Sequence, residues 1–314
     1  VYLYIHNGIA EIRDARHLVG MDTYKTGEEI KKELLATNKK DLSVFSVGPA
    51  GENLVKFAAI VGDEGHVVAH NGQGAVMGKK RLKAFVAAKS GKIFNTPNDE
   101  ILSDLNKQVL ARTRAERPEI YFKGTSSQIP PYVKKGLLPI KNLTTNVFTG
   151  YEKLDGEYYR SHFKLKPQPC WRCPLKHIHI MEVTEGPYKG YVGEEPEYEI
   201  VAGWGPNIDN RDPGAVVMLS DTADRLGFDS NEASWLISFV MECYEKKILS
   251  KTDTDGIEMT WGNVESARAM LHKIAKREGF GNILAEGVMR SAEKIGGEAL
   301  NMAVYTKKGH APRG

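Results

Sequence analysis

The spacing of apolar residues changes once along this chain, from a period of two before residue 90 to a helical period after Asp212. Alternating runs separated by glycines predict β-strands. These runs are Val1–His6, Leu42–Val47, Leu54–Val61 and Ala84–Ala88. Asn7 and Gly8, directly after the first run, predict a two-residue hairpin turn. A strand-rich segment followed by a helix-rich one indicates an α+β fold.

The helices after Asp212 carry their own start and stop signals. Asp212 and Pro213 predict an N-cap with a first-turn proline, and Gly227 marks the end of that helix. Asp229 and Glu232 have capping-box spacing and predict the start of the next helix. The two helices that begin at these signals are predicted to end at Leu226 and at Ile248. Four other predicted helices span Thr26–Ala36, 97–115, Val264–Glu278 and Asn282–Ile295. Residues 118–169 support no prediction.

Charge and cysteine content exclude several protein classes. A net charge of +3 is too small to indicate nucleic-acid binding, and no run of 18 apolar residues predicts a membrane span. Three cysteines cannot form a disulfide framework, which favours a reducing compartment such as the cytoplasm. The chain begins inside a strand pattern and stops in a loop pattern. We expect the middle of a longer protein, and the alternative is a short fragment with untidy ends.

The segment QPCWRCPLKHIHIMEV carries two of the three cysteines. Cys170 and Cys173 are spaced to chelate one soft metal. With His177 and His179 they form a complete donor set for zinc. Alternatively, Cys170, Cys173 and His177 form part of an iron–sulfur site, because imidazole can replace thiolate on cluster iron. The third interpretation is two free cysteines in a core. Cys243 lies on the apolar face of a predicted helix and is interpreted as a core thiol.

Two glycine-rich segments lie in the strand-rich part. Glycines in AHNGQGAVMGKKRLKAF allow backbone N–H groups to approach an anion, and the basic residues that follow suit a phosphate. The alternative is a glycine turn with a solvated basic edge. In VGPAGENLVKFAAI, two glycines bracket a tight turn, and Glu52 and Asn53 offer polar atoms to a ligand. An ordinary loop is the alternative there.

Two acidic motifs follow. Glutamates crowd the stretch Glu194–Ile200, where a buried carboxylate could act as an acid or base, although such a run is usually a solvated face. In DTADRLGFD, plain helix capping already explains Asp224, Gly227 and Asp229.

The order of these motifs resembles the tungsten-containing aldehyde ferredoxin oxidoreductase family, which includes class II aryl-CoA reductases. The resemblance covers essentially the whole chain. It implies the C-terminal part of a β-rich pterin-binding domain over residues 1–90 and a mostly helical domain over 91–314. It makes Glu199 the catalytic acid or base and Cys170, Cys173 and His177 the metal ligands. The cofactor-binding residues it implies are Glu52, Asn53, His70, Asn71, Gly72, Gly74, Gly78, Lys79, Asp224, Gly227, Phe228 and Asp229.

The same resemblance implies an anaerobic oxidoreductase that interconverts an aldehyde and a carboxylic acid. Its expected cofactors are a tungstopterin, which is a bis-molybdopterin with W or Mo, and a 4Fe-4S cluster. Its expected partners are ferredoxin or an electron-transfer subunit and a small aldehyde or acyl substrate, in a homo-oligomer or a larger complex. The alternatives are reduction of an aryl-CoA or another activated acid, and a cofactor-free paralogue that acts as a scaffold or electron-transfer subunit.

This sequence also departs from the family pattern. His177 stands where the family has its third cluster cysteine, and Phe228 replaces a leucine. His70 and Asn71 stand near a common Arg-Gly pair, so one phosphate contact is expected to be altered. The family's Glu-x2-His pairs are replaced by Met218 with Asp221 and by Glu265 with Arg268, so no bridging metal is expected.

Overall fold

The computed structural model describes residues 1–35, 41–89, 98–170, 173–175, 177–307 and 309–312. Two predictions extend beyond these described residues. The predicted helix end at Ala36 and the proposed domain boundary at residue 90 both lie outside the described residues. The division into residues 1–90 and 91–314 therefore stays a prediction.

Strands of the first 89 residues form a mixed six-stranded sheet, with order β2-β1-β6-β3-β4-β5. The strands are β1 Tyr2–His6, β2 Ile9–Arg13, β3 Leu42–Ser46, β4 Ile60–Gly62, β5 His66–Val68 and β6 Ala84–Ala88. Only β1 and β6 pair in parallel. Asn7 and Gly8 have φ angles of 50° and 82°, and His6 pairs with Ile9, so the predicted two-residue hairpin is confirmed.

The predicted strand over Leu54–Val61 is wrong except at its end, where Ile60 and Val61 belong to β4. Leu54 has φ 59°, and Val55 N–H donates to the carbonyl of Ala50, so the chain turns here. The apolar residues that follow, Phe57 and Ala58, are buried in a core instead of alternating across a sheet. A continuous apolar run does not distinguish these two outcomes.

Fourteen helices connect and follow these strands within the described ranges. They are α1 Thr23–Glu33, α2 Pro49–Glu52, α3 Gln73–Lys79, α4 Asp99–Glu116, α5 Pro118–Lys123, α6 Ile129–Lys134, α7 Gly156–His162, α8 Tyr198–Trp204, α9 Pro213–Leu226, α10 Ser230–Glu245, α11 Val264–Lys276, α12 Phe280–Leu284, α13 Val288–Ile295 and α14 Ala299–Met302. The α+β class is confirmed. Among the described residues, no helix combines the length and apolar character that crossing a bilayer requires.

The capping residues act as predicted. Asp212 caps α9 through Gly214 and Ala215, and Asp229 caps α10. One prediction fails: the helix expected over Asn282–Ile295 is two helices, because Gly287 adopts φ 86° between α12 and α13. No described residue after Asp212 belongs to a strand.

A small antiparallel sheet precedes α8, in residues that the sequence left mostly unassigned. Its strands are β7 Lys164–Pro167, β8 His179–Glu182 and β9 Val192–Glu194, in that order. The sheet brings the histidines after Cys173 next to the acidic stretch at 194–200, because Ile180 pairs with Glu194.

The larger core surrounds α9 and α10, which are buried on nearly every side. Cys243 belongs to this core, so its interpretation as a core thiol is confirmed. A smaller core lies under the six-stranded sheet, around Tyr2, Leu18 and Val86. The segment 47–59 leaves the sheet and places Val55 and Phe57 in the larger core. It therefore fixes the sheet against the end of α9.

Candidate cofactor cleft and metal centre

The turn Asp224–Asp229 is held against the 47–59 segment by backbone contacts. Ala59 N–H donates to the carbonyl of Gly227 at 2.8 Å, and Asp229 N–H donates to that of Phe57 at 2.9 Å. The Phe228 ring stacks on Phe57 with centroids 5.3 Å apart. The structure thus uses Gly227 and Phe228 to join two parts of the protein, and their predicted contact with a cofactor stays a prediction.

Asp224 differs from its neighbours in that its carboxylate has no protein partner. The residue is only 5% exposed, and no described group donates a hydrogen bond or ion pair to the carboxylate. Burial, followed by the charges of Glu194 and Asp221, raises its pKa well above the ordinary range. A buried acceptor without a donor is costly unless a ligand supplies one.

Two more polar atoms close to Asp224 lack partners. The Tyr24 hydroxyl and Oδ1 of Asp221 are buried without a hydrogen bond among the described residues. The other oxygen of Asp221 accepts from Arg225 Nε at 2.6 Å and from the Tyr191 hydroxyl at 2.8 Å. Burial, and then the charge of Asp224, raises the pKa of Tyr24, so this hydroxyl keeps its proton. We call Asp224, Asp221 and Tyr24 the cleft, and together they present unused acceptors.

The glycine loop lies on the other side of Asp229. His70, Asn71 and Gly72 have consecutive φ angles of 69°, 58° and 66°, a left-handed run that only glycine adopts without cost. Both the backbone N–H and Nδ1 of His70 contact Oδ2 of Asp229, at 3.1 and 2.6 Å. These bonds hold the loop in place beside α10.

The glycines of this loop have a packing reason. A Cβ at Gly72, Gly74 or Gly78 would overlap the carbonyl oxygen of Lys56, Ala59 or Gly51, respectively. The glycines therefore let α3 approach the 51–59 segment directly. Lys79 is exposed at the end of α3. Ligand binding by Gly72, Gly74, Gly78, Asn71 and Lys79 stays a prediction.

Glu52 and Asn53 are occupied by tertiary contacts. Glu52 accepts from Lys83 Nζ at 2.7 Å and from Gly20 N–H at 2.9 Å. Burial lowers the pKa of Lys83, and the Glu52 charge opposes that effect. Asn53 Nδ2 donates to the Ala275 carbonyl at 2.9 Å, near the end of α11. Both side chains anchor the turn after β3, and their predicted role toward a cofactor stays a prediction.

The expectation of a solvated face over the acidic run is wrong for its first two members. Glu195 is buried between Arg160 at 2.5 Å and His179 at 2.7 Å. Burial, and then repulsion from Glu197, raises the pKa of Glu194 to about 8. The reason is the β8–β9 pairing, which carries these residues into the protein. Glu199 lies half-buried on the first turn of α8, and no described group bonds to its carboxylate.

The predicted metal ligands do not assemble into one group. Cys173 N–H donates to the Cys170 carbonyl at 3.1 Å and closes a turn. Nε2 of His177 is buried without a hydrogen bond among the described residues and lies 3.5 Å from Oε1 of Glu197. The side chain near Cys170 is instead His66 of β5, whose Nδ1 lies 3.9 Å from Sγ.

No three histidine, cysteine or acidic residues within the described ranges form a ready metal site. Cys243, the remaining cysteine of this sequence, is in the larger core. Metal binding by Cys170, Cys173 and His177 therefore stays a prediction. The sequence could not indicate His66, because it lies 104 residues from Cys170 and belongs to no motif.

Family models match both parts of the chain. The aldehyde ferredoxin oxidoreductase N-terminal domain matches residues 1–89, and domains 2 and 3 of the same enzyme match residues 100–314. The chain belongs to the aldehyde ferredoxin oxidoreductase family. The family resemblance predicted from the motif order is thus confirmed.

Two relatives from Pyrococcus furiosus are each 34% identical to this chain. One is a tungsten-containing aldehyde ferredoxin oxidoreductase, with 97% of this chain and 50% of the relative aligned. The other is an aliphatic sulfonate oxidoreductase, WOR-like subunit, with 98% and 51% aligned. The chain spans about half the length of the curated relatives it matches.

A solved structure shares the fold over nearly the whole chain. It is the active site complex BamBC of benzoyl coenzyme A reductase with 1,5-dienoyl-CoA, at TM-score 0.81 and 27% identity. The match covers 99% of this chain and 48% of the other. The names of these similar proteins therefore refer to different substrates, namely an aldehyde, an aliphatic sulfonate and benzoyl coenzyme A.

Proposed function

We propose that this chain forms part of a tungsten- or molybdenum-dependent oxidoreductase that interconverts an aldehyde and a carboxylic acid. The electrons pass to ferredoxin or a similar one-electron carrier in the cytoplasm. The observation that carries the proposal is the buried, unpartnered carboxylate of Asp224 at the end of α9. The family membership and the tungsten-containing relatives support the class of reaction.

The unused acceptors of the cleft fit a pterin. A pterin ring presents N–H and amino groups, which are hydrogen-bond donors, and the cleft presents unused acceptors on Asp224 and Asp221. Asp224 would accept from such a ring, and the Tyr24 hydroxyl would bond at its edge. The raised pKa of Asp224 in the free protein agrees with this fit, because donors from a ligand would stabilise the charged form.

The bound metal–pterin group would supply the two-electron redox chemistry. Glu199 would hold or accept the proton that aldehyde oxidation releases, in the role of general base. Its position on the first turn of α8 leaves its carboxylate without a protein partner among the described residues, as a base needs. The packing of α8 against α9 and α10 holds this turn in place on buried side chains such as Val201 and Trp204.

A second candidate function is reduction of an aryl-CoA or another activated acid. The structural match to a benzoyl coenzyme A reductase complex, at TM-score 0.81, favours it specifically. The two functions share the same cleft and differ in the substrate. The names of a WOR-like subunit and of a two-component complex among the similar proteins also support assembly into a larger complex.

Metal analysis of the full-length protein tests the proposal. The protein should be produced without oxygen, with tungstate and molybdate both supplied. We expect W or Mo together with released pterin, and oxidation of simple aldehydes with a viologen dye as acceptor. Reduction of aryl-CoA without aldehyde oxidation would select the second candidate. Absence of both metals and of pterin would contradict both and leave the cofactor-free scaffold.

A further inference from the structure

We propose that α4 (Asp99–Glu116) is an interaction surface for a second copy of this chain. The two α4 helices would pair in antiparallel orientation, with the two-fold axis at Leu105. The proposal is independent of the redox chemistry above, because α4 carries none of the candidate site residues.

An exposed apolar stripe runs along α4. Ile101, Leu105 and Val109 recur every four residues, and Leu102 adjoins them on the same side of the helix. Each of these four residues is between 46% and 60% exposed, and no described residue of α4 is buried. Apolar residues scattered singly on a surface are ordinary, whereas four on one helix face indicate a contact surface.

The stripe points away from the rest of the protein. α5 is the main described element that α4 packs against. The Arg114 guanidinium lies over the rings of Tyr121 and Phe122, at 5.8 and 5.6 Å from their centroids. Nine residues separate Leu105 from Arg114, which is two and a half helical turns, so the two side chains lie on opposite faces of α4. The face with Arg114 meets α5, and the face with Leu105 is left for a partner.

The stripe is symmetric about Leu105. Ile101 and Val109 lie four residues before and after it. Two antiparallel copies would therefore place Leu105 against Leu105, and Ile101 of each copy against Val109 of the other. A stripe of this kind is complementary to itself, as a two-fold interface requires.

The charges of α4 favour an antiparallel second copy as the occupant. The acidic side chains lie mainly in the first half of the helix and the basic ones in the second half. These residues are Asp99, Glu100 and Asp104, followed by Lys107, Arg112 and Arg114. An antiparallel pair sets each acidic half beside the basic half of the other copy and opposes the helix dipoles. Glu116 is the acidic exception, and it already pairs with Arg112 at 2.9 Å.

The size of the surface sets the strength of this association. α4 has 18 residues and is about 27 Å long. A pair of such helices buries less surface than the standard protein–protein interface of about 1,600 Å². Association through α4 alone is therefore expected to be weak, and position-specific cross-linking detects it whatever other contacts the copies make.

Cysteine cross-linking of the full-length protein tests the pairing one position at a time. Disulfides are formed with a mild oxidant, and mass spectrometry identifies the linked peptides, so links through native cysteines are recognised. A disulfide needs Cα atoms within about 7 Å of each other. We expect Leu105→Cys to link to the same position of a second copy. Ile101→Cys and Val109→Cys should each fail to link alone and should link to each other when the two variants are mixed.

Two controls use the opposite face of the helix. Ser103→Cys should not link, because residue 103 is exposed on the far side from the stripe. Adding Leu105→Glu to the mixed pair of variants should reduce the link by at least about 10-fold, since two carboxylates would meet at an apolar contact. Adding Ser103→Glu should leave the link unchanged. Urea unfolding should be unchanged for both glutamate variants, because both positions are exposed in a single copy.

Three results would overturn the proposal. Ile101→Cys linked to itself would mean a parallel pair. Leu105→Cys linked to another segment of the full-length chain, or to a different protein, would mean another occupant. A link between the mixed variants that survives Leu105→Glu would mean random collision instead of a specific contact.

Discussion

Nδ1 of His70 lies 2.6 Å from Oδ2 of Asp229, and the backbone N–H of His70 donates to the same oxygen at 3.1 Å. The Asp229 side chain is only 3% exposed. Its other oxygen caps α10 through the N–H groups of Asn231 and Glu232. One carboxylate therefore fixes the glycine loop and the start of a core helix together, although the two lie 159 residues apart.

This contact predicts that substitutions of His70 and Asp229 lower the free energy of unfolding by different amounts. His70→Ala removes one charge-assisted bond from a half-exposed ring and should lower the free energy of unfolding by about 1 kcal/mol. Asp229→Ala removes that bond and the helix cap, and should cost about 2 to 3 kcal/mol. Urea unfolding measures both, with His17→Ala as the exposed control. Equal losses would mean that the cap contributes nothing.

A second prediction concerns the glycine packing. Gly78→Ala should lower stability by several kcal/mol, because the new Cβ overlaps the Gly51 carbonyl and neither backbone can move freely. Gly27→Ala is the matched control, since Gly27 lies within α1 with nothing within 4 Å of its Cβ position. It should stabilise the protein by about 0.5 to 1 kcal/mol. Thermal unfolding of both variants would show opposite shifts, and a tolerated Gly78→Ala would refute the packing account.

Local signals predicted the fold where capping and turn chemistry determine it. The bounds of α9 follow from Asp212 and Gly227, and the β1–β2 hairpin follows from Asn7 and Gly8. The strand prediction is wrong at 54–59 because the apolar residues there pack against a distant helix turn instead of a neighbouring strand. Periodicity carries no information on which surface covers an apolar run.

The sequence predicts the motifs of the candidate site, but it does not predict which residues of the site contact each other. The sequence drew attention to Asp224 and Cys170, and the structure adds that the first lacks a partner and that the second lies near His66. Burial of Glu194 and Glu195 was missed, because a glutamate run has the same composition on a surface and in a cleft. Long-range pairing between β8 and β9 decides between the two.

A third prediction tests the role of Glu199. Glu199→Gln should retain W or Mo and pterin in the full-length protein, while turnover falls by about 10² to 10⁴, the range that a positioned general base supplies. Glu197→Gln is the control, because this neighbour is half-exposed and lies just before α8. It should keep near-native turnover. Near-native turnover in Glu199→Gln would exclude the catalytic role.

The last prediction uses the pKa of Asp224, which burial raises well above its ordinary value of 3.8. The folded protein then keeps this proton at a pH where the unfolded chain has lost it. Because the folded state binds more protons there, stability falls as pH rises above about 4, by up to about 1.4 kcal/mol per pH unit, until the folded-state pKa is passed.

Asp224→Asn should remove this slope, because the amide does not ionise. In cofactor-free protein the variant should match the native protein near pH 4 and be more stable at pH 7 by urea unfolding. Asp221→Asn is the contrasting variant on the same helix. It loses the ion pair with Arg225 and should not stabilise. In the full-length protein, Asp224→Asn should lose bound pterin despite its greater stability, since the unpartnered carboxylate is kept for the ligand. A variant that retains pterin and gains no stability at pH 7 would contradict the assignment.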